Sequence, residues 1–319
     1  MRSGTGVMNR ASALSAVIAV CALSIAAAAH QGQRRPTRIV TIQTLNVRDI
    51  VYLLTGGGGN ALALMRDEGV VLIDTKLPGW GRPTLDAIEA VTDKPVVTII
   101  NTHAHDDHTG GNVELPTATQ IIAHVNTKAN MQKMDAFKGP NARFLPNRTV
   151  SDKLSLLDGP DRIDLYYFGA GHTNGDLVVV FPEKRLAYFG DLFPSKSAPL
   201  IDTANGGSGV AFPATLARAV SEIRGVTRVI AGHAEGRAAP RDPTSAAAIF
   251  SYPQTLTWSD VQEYADFARD FLEAVQQSVE AGKSAEEAAA TLKLPDRYKG
   301  YDMQRARSSV EAIYKELNK

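Results

Sequence analysis

The sequence predicts an α/β (α+β) fold in which two β-sheets pack together with helices outside, followed by a helical C-terminal extension. Three observations predict it. Short β-rich runs and helical stretches alternate over residues 38–235, and strands lead into helices once in each half. The candidate chemical residues lie just past such a run or just before one. After Pro240 the apolar residues fall at helical spacing instead. Periodicity by itself also fits an ordinary doubly wound sheet.

The first β-rich runs are Arg38–Leu45, Ile50–Leu54, Ala61–Met65 and Val70–Asp74, separated by turn material that includes Gly56–Gly59. A helical stretch over Pro83–Val91 leads to a buried-type strand at Pro95–Asn101. A His-rich loop, a strand at Gln120–His124 and a polar helical connection through Phe137 follow. Strands return at Arg162–Phe168, Asp176–Phe181 and Arg185–Gly190, then a helix at Ala211–Ile223 and a strand at Thr227–Ala231. In the extension, Val261, Tyr264, Ala265, Ala268, Phe271, Leu272 and Val275 form a helical stripe over 258–281. Ser284 and Glu287 have capping-box spacing before a second helix, and Met303–Leu317 suggests a third. Such a tail packs on the main domain or serves as a separate dimerisation or substrate-shaping module.

The chain divides at sequence level into a leader (1–29), a polar linker (30–37), a catalytic domain (38–240) and the helical extension (241–319). Arg2 and Arg10 precede an Ala/Leu/Ile/Val-rich run from Ala11 to Ala29, the arrangement of a secretory signal peptide. A periplasmic or secreted protein without a stable membrane anchor is therefore expected. Cys21, the only cysteine of 319 residues, falls inside that leader. A disulfide framework, a thiol nucleophile and a thiolate metal ligand are all excluded from the mature chain. Lys+Arg and Asp+Glu each number 34, so no basic excess exists to grip nucleic acid or an anionic membrane. The expected partner is a small-molecule substrate, and the sequence does not set an oligomeric state.

The strongest chemical signal is Asn101-Thr102-His103-Ala104-His105-Asp106-Asp107-His108-Thr109-Gly110-Gly111. His103 and His105 stand two apart in an extended segment and project to one side, where two neutral imidazoles can bind one cation. Asp107 and His108 follow where the chain turns and can reach a second. Three more pieces lie downstream: His172 in Gly-Ala-Gly-His-Thr-Asn-Gly-Asp, Asp191 in Tyr-Phe-Gly-Asp-Leu-Phe, and His233 in Ile-Ala-Gly-His-Ala-Glu-Gly. A glycine beside each suits a backbone pressed close to a metal centre.

His-x-His-x-Asp-His, then His, Asp and His in that order, resembles the metal signature of the metallo-β-lactamase superfamily over roughly residues 38–236. The resemblance implies an αββα sandwich with the site along one edge of the two sheets. It also implies that His103, His105 and His172 hold a first metal and that Asp107, His108 and His233 hold a second, with Asp191 bridging. Asp74, in Val-Leu-Ile-Asp-Thr, matches the family's acidic residue at a strand end and is expected to orient the His loop through hydrogen bonds. His124 has no place in the ligand set and reads as structural.

Five imidazoles and two carboxylates without a thiolate suit two Zn2+ best, with Fe or Mn as alternatives. Two such cations can share one water and lower its pKa towards ~7. Asp107 is the candidate to orient that water and relay a proton. The expected activity is hydrolysis of an ester, lactone or amide bond of a small molecule. Many β-lactamases of the superfamily carry cysteine where Asp191 stands, so action on β-lactam antibiotics is the alternative. A non-catalytic metal-binding envelope protein is the alternative from another class. Ser195 and Lys196, just past Asp191, are expected near a substrate carboxylate.

Overall fold

Valine, leucine and isoleucine occupy both faces of the central strands, so each sheet must be covered on two sides. The computed structural model describes residues 40–45, 50–233 and 255–318. The expected leader, the linker and the boundary at 240/241 lie outside them. Among the described residues, no helix is long and apolar enough to cross a membrane.

The first sheet has seven strands in sequence order: β1 (Thr41–Thr44), β2 (Val51–Thr55), β3 (Ala61–Leu64), β4 (Val70–Ile73), β5 (Val96–Ile100), β6 (Gln120–His124) and β7 (Arg148–Val150). Strands β1 to β4 form an antiparallel meander, and β4 to β7 run parallel. The second sheet contains β8 (Lys153–Leu156), β9 (Ile163–Tyr167), β10 (Leu177–Phe181), β11 (Leu186–Tyr188), β12 (Arg228–Ile230) and β13 (Leu256–Thr257), again neighbours in order. Among the described residues its one parallel pair is β11 with β12. Parallel neighbours require crossover helices, supplied by α1 (Gly81–Glu89), α2 (Asp106–Thr109), α3 (Val125–Met131) and α4 (Phe212–Glu222).

Strand alternation sorts the apolar residues into three cores. Val71 and Ile73 of β4 meet Leu177, Val179 and Phe181 of β10 between the sheets. Val70 and Leu72 face the other way, towards Ala87 and Ile88 of α1. Val178 and Val180 turn outward to the helices that cover the second sheet. The result is four layers, helix–sheet–sheet–helix, as the resemblance implied; a single doubly wound sheet is excluded.

The C-terminal helices α5 (Trp258–Glu280), α6 (Ala285–Thr291) and α7 (Ala306–Leu317) share the third core with α4. Phe193 stacks on Tyr264 at 4.6 Å between centroids, and Tyr264 packs on Phe267. Thr257 with Asp260 and Ser284 with Glu287 close capping boxes at α5 and α6, each contributing on the order of 1 kcal/mol. Strands β7, β8 and β13 were not expected from the sequence. Each is short and β7 and β8 are largely exposed, so none shows a clean apolar alternation.

Two hydroxyls in this outer core, those of Tyr264 and Tyr314, are buried without a partner among the described residues. Tyr264→Phe removes an unsatisfied group while keeping the ring, so it is expected to stabilise the fold by about 1 kcal/mol. Denaturant titration of both proteins checks the sign.

Candidate metal centre

Parallel pairing decides where the chemistry gathers. Strands β4, β5 and β6 run the same way, so the residues that follow them emerge on one edge of the first sheet. Strands β11 and β12 do the same for the second sheet. Asp74 follows β4, the His103–His108 loop follows β5, Asp191 follows β11 and His233 follows β12. His172 joins them from the connection between β9 and β10.

All seven expected ligands meet there. His103, His105, His172 and Asp191 offer ligand atoms within 4.8 Å of one another, and so do Asp107, His108 and His233. Asp191 touches both groups: Oδ1 lies 3.3 Å from His108 Nε2, while Oδ2 lies 3.2 Å from His233 Nε2 and 3.8 Å from His172 Nε2. Asp107 Oδ2 is 3.5 Å from His233 Nε2 and 3.7 Å from His108 Nε2. Close backbone approach makes this possible. A Cβ on Gly232 would collide with Asp191 Oδ1, and one on Gly59 would enter the His108 ring.

Four of the five histidines are oriented by a bond on the side away from the centre. His108 Nδ1 donates to Asp74 Oδ2 at 2.7 Å, His105 Nε2 to Asp202 Oδ2 at 2.7 Å, and His172 Nδ1 to the Leu200 carbonyl at 2.8 Å. Carboxylates and carbonyls only accept, so the proton is fixed on the outward nitrogen. The Thr102 hydroxyl donates to Asp74 Oδ2 and accepts from His103 Nδ1 at 3.0 Å. In the neutral imidazoles each inward nitrogen is thereby left as a lone pair. His172 Nε2 and His105 Nδ1 point those lone pairs at each other across 2.9 Å. Two acceptors that close repel unless an electrophile lies between or beside them. His103 Nε2, His108 Nε2 and Asp191 Oδ1 are also buried without a hydrogen bond of acceptable direction. The donor set and its orphaned atoms fit a bound cation.

The electrostatics point the same way. Burial holds the His103 pKa well below its usual value, with His108 and His172 adding repulsion. Burial opposes charge on His108 too, yet Asp191 and Asp74 together hold its pKa well above the usual value. Against the upward push of burial, His108, His233 and His103 keep Asp191 well below the carboxylate range. The carboxylates thus demand a positive partner, and a metal would replace the proton that His108 otherwise carries.

Asp74 sits where the sequence placed it, buried beneath the loop. It accepts from Thr102 N, Thr102 Oγ1, His108 Nδ1 and Tyr188 OH at 2.7–2.9 Å. His124 lies outside the cluster, capping α3 and stacking on Tyr167. Lys196 and Ser195 have partners within the protein. Lys196 Nζ pairs with Asp260 Oδ1 at 2.7 Å and Glu263 Oε1 at 3.4 Å on α5, and Ser195 donates to Ser197 Oγ at 3.2 Å. Two carboxylates on a covering helix hold the ammonium, and they tie this loop to α5.

Several supporting residues gave no usable sequence signal. Asp202 is one, within a turn-rich stretch, and Tyr188 is another, inside a strand. The third is Lys76, fully buried, whose ammonium donates to the Leu54 carbonyl at 2.7 Å and the Gly59 carbonyl at 2.6 Å. It staples both ends of the Gly56–Gly59 turn, which rests on the His loop through Gly59 N to Asp107 O at 3.3 Å.

Comparison with known proteins agrees with this geometry. The family model of the metallo-β-lactamase superfamily matches residues 54–262. The chain belongs to the metallo-β-lactamase superfamily. It is 35% identical over 156 residues to the 2,4-dinitroanisole O-demethylase subunit alpha of Nocardioides sp. (strain JS1661), covering 47% of this chain and 46% of that one. It is 29% identical over 187 residues to a metallo-β-lactamase type 2 of Elizabethkingia meningoseptica, covering 55% and 70% respectively. The chain thus spans about half the length of the demethylase subunit. The mono-zinc form of the metallo-β-lactamase FIM-1 from Pseudomonas aeruginosa superposes with a TM-score of 0.56 at 18% identity, over 74% of this chain and 98% of that one. That likeness establishes the superfamily fold. The superfamily's common ground is hydrolase-like function at a cluster that could bind metal.

Lys76 yields a pH-dependent expectation. Burial lowers its pKa from 10.5 to about 7, against the attraction of Asp74 and Asp107. Between about pH 7 and 10.5 the unfolded chain holds this proton and the folded chain does not, so stability rises with pH across that window. Below about pH 7 both states hold it and the dependence vanishes. Lys76→Met should remove this slope and cost roughly 1–3 kcal/mol through the two abandoned carbonyls. Chelator-treated protein, unfolded by denaturant at pH 7.5 and 9.5, reads both effects.

Proposed function

We propose that this superfamily member is a metal-dependent hydrolase that cleaves an ester, lactone or amide bond of a small molecule. In this reading His103, His105 and His172 hold one cation, Asp107, His108 and His233 hold another, and Asp191 lies between them. Zinc is the metal the donor set favours, because imidazole and carboxylate without thiolate suit it. The observation that carries the reading is the pair of inward lone pairs of His105 and His172, 2.9 Å apart with their protons fixed outward. When bound, such ions supply Lewis acidity and make water acidic enough to attack at neutral pH.

The chain's own groups divide the remaining work. His103 and His108 are buried, whereas the His105, Asp107 and His233 side chains are partly exposed and form the open side. Asp107 Oδ2 is placed to orient an attacking water and accept its proton. Asp74, Thr102 and Tyr188 keep the His loop in register, so little reorganisation accompanies the reaction. Export to the periplasm or medium belongs to the same proposal, resting on Arg2, Arg10 and the run Ala11–Ala29.

Hydrolysis of β-lactams is the second reading, supported by the lactamase from Elizabethkingia meningoseptica. Asp191 in place of a cysteine ranks it behind esters and lactones. A zinc-reconstituted preparation should turn over members of a lactone and aryl ester panel faster than a chromogenic cephalosporin, with 2,4-dinitroanisole as a further probe. Turnover of the cephalosporin alone would reverse the order. Metal uptake without turnover of any probe would favour the non-catalytic envelope protein. His103→Ala and Asp191→Ala should each remove a metal equivalent and cut activity by more than the roughly 10–100-fold typical of outer partners. Metal analysis beside circular dichroism separates this loss from unfolding.

A further inference from the structure

The segment Pro199–Val210 lies between the first group of ligands and the C-terminal helix α7. On one side it supplies the outward partners of two histidines, Asp202 Oδ2 for His105 and the Leu200 carbonyl for His172. Its backbone is also paired to the connection that carries His172, with Asp202 N donating to His172 O at 2.9 Å and Ser208 N to Gly171 O at 3.0 Å. On the other side it is held by α7. The Glu316 carboxylate accepts from Ser208 Oγ, from Gly209 N at 3.0 Å and from Val210 N at 3.3 Å, and Ser309 Oγ donates to the Pro199 carbonyl. Gly209 admits this contact because a Cβ there would strike Ile313 of α7. Both ends of the segment are thus fixed to one helix, and its middle fixes two imidazoles.

We propose that α7, through Glu316, positions His105 and His172 and so sets the affinity of the first metal group. The inference rests on the two-cation reading above. Glu316 touches neither ligand nor substrate; it acts by holding the segment that carries Asp202 and Leu200. A negatively charged group accepting three donors is a strong clamp, and an Ala at this position leaves two backbone N–H groups and a hydroxyl to find other partners. The second group, Asp107, His108 and His233, is supported by Asp74 and β12 instead and does not depend on this helix.

The test is a competitive chelator titration with zinc on the full chain, wild type against Glu316→Ala, with Glu311→Ala on the same helix as control. Glu311 pairs with the exposed Arg307 and should change nothing. Glu316→Ala should weaken one of the two binding steps by about tenfold, the lower end of what outer partners cost, and leave the other within about twofold. Glu316→Gln keeps one accepting oxygen and should fall between. If Glu316→Ala does not fold, Ser208→Ala removes one arm of the clamp and should weaken the same step in a smaller degree. Unchanged zinc affinity in both steps, with only a lower melting temperature, overturns the proposal. A wild-type chain that binds no zinc overturns the functional reading instead, and the two failures are told apart in one experiment.

Discussion

Each of four imidazoles at the sheet edge gives one nitrogen to a fixed oxygen outside the centre, and this decides the state of the other nitrogen inside it. Because Asp202, Asp74 and the Leu200 carbonyl accept and never donate at these contacts, the lone pairs turn inward. A protein interior does not hold several such lone pairs and a carboxylate face to face without a positive centre. The outer hydrogen bonds therefore select for a cation as firmly as the ligands do. The fold, the glycine turn and the C-terminal helices can all be read as the frame that keeps those oxygens in place.

That frame has an uneven distribution. The second group is supported from within the sheets: Asp74 closes β4 and also receives the Tyr188 hydroxyl from β11, so one carboxylate joins both sheets beneath the His loop. The first group is supported from outside them, by a loop that itself leans on a helix some hundred residues further along the chain. Lys196, engaged with Asp260 and Glu263, ties the same region to α5. Each half of the centre draws residues from both sheets, with Asp191 between them, and what differs is the support behind each.

The ligands were legible because their chemistry is rare and their spacing short: three histidines and two aspartates within His103–His108 form a pattern by themselves. The main strands and long helices were legible from alternation and helical stripes, and the Ser284 cap from its spacing to Glu287. What escaped has physical causes in common. Asp202 and Lys76 act through contacts 97 and 22 residues away, which no local pattern encodes. A lysine after a strand reads as a solvated turn residue, yet the Gly56–Gly59 turn closes over it. The partners of Lys196 were hidden for the same reason. Its neighbourhood along the chain suggested a substrate contact, while the carboxylates that claim it lie on a helix more than sixty positions away. The sandwich itself was distinguished from a doubly wound sheet by the resemblance and then by the pairing, since both architectures share one order of elements.

The backbone amide of Asn60 donates to Gly232 O, and its side chain reaches Ala231 O, linking the first sheet's hairpin to the last ligand-bearing turn. Contacts of that span close a loop of more than half the chain. Closing such long loops is entropically slow, so the polypeptide must collapse and pair its sheets before any ion finds a complete set of donors. An ion that bound only the assembled state would act as a late latch, deepening that basin by an amount that grows with the logarithm of its free concentration. Availability of metal where the chain folds would in this way govern how long the assembled molecule persists.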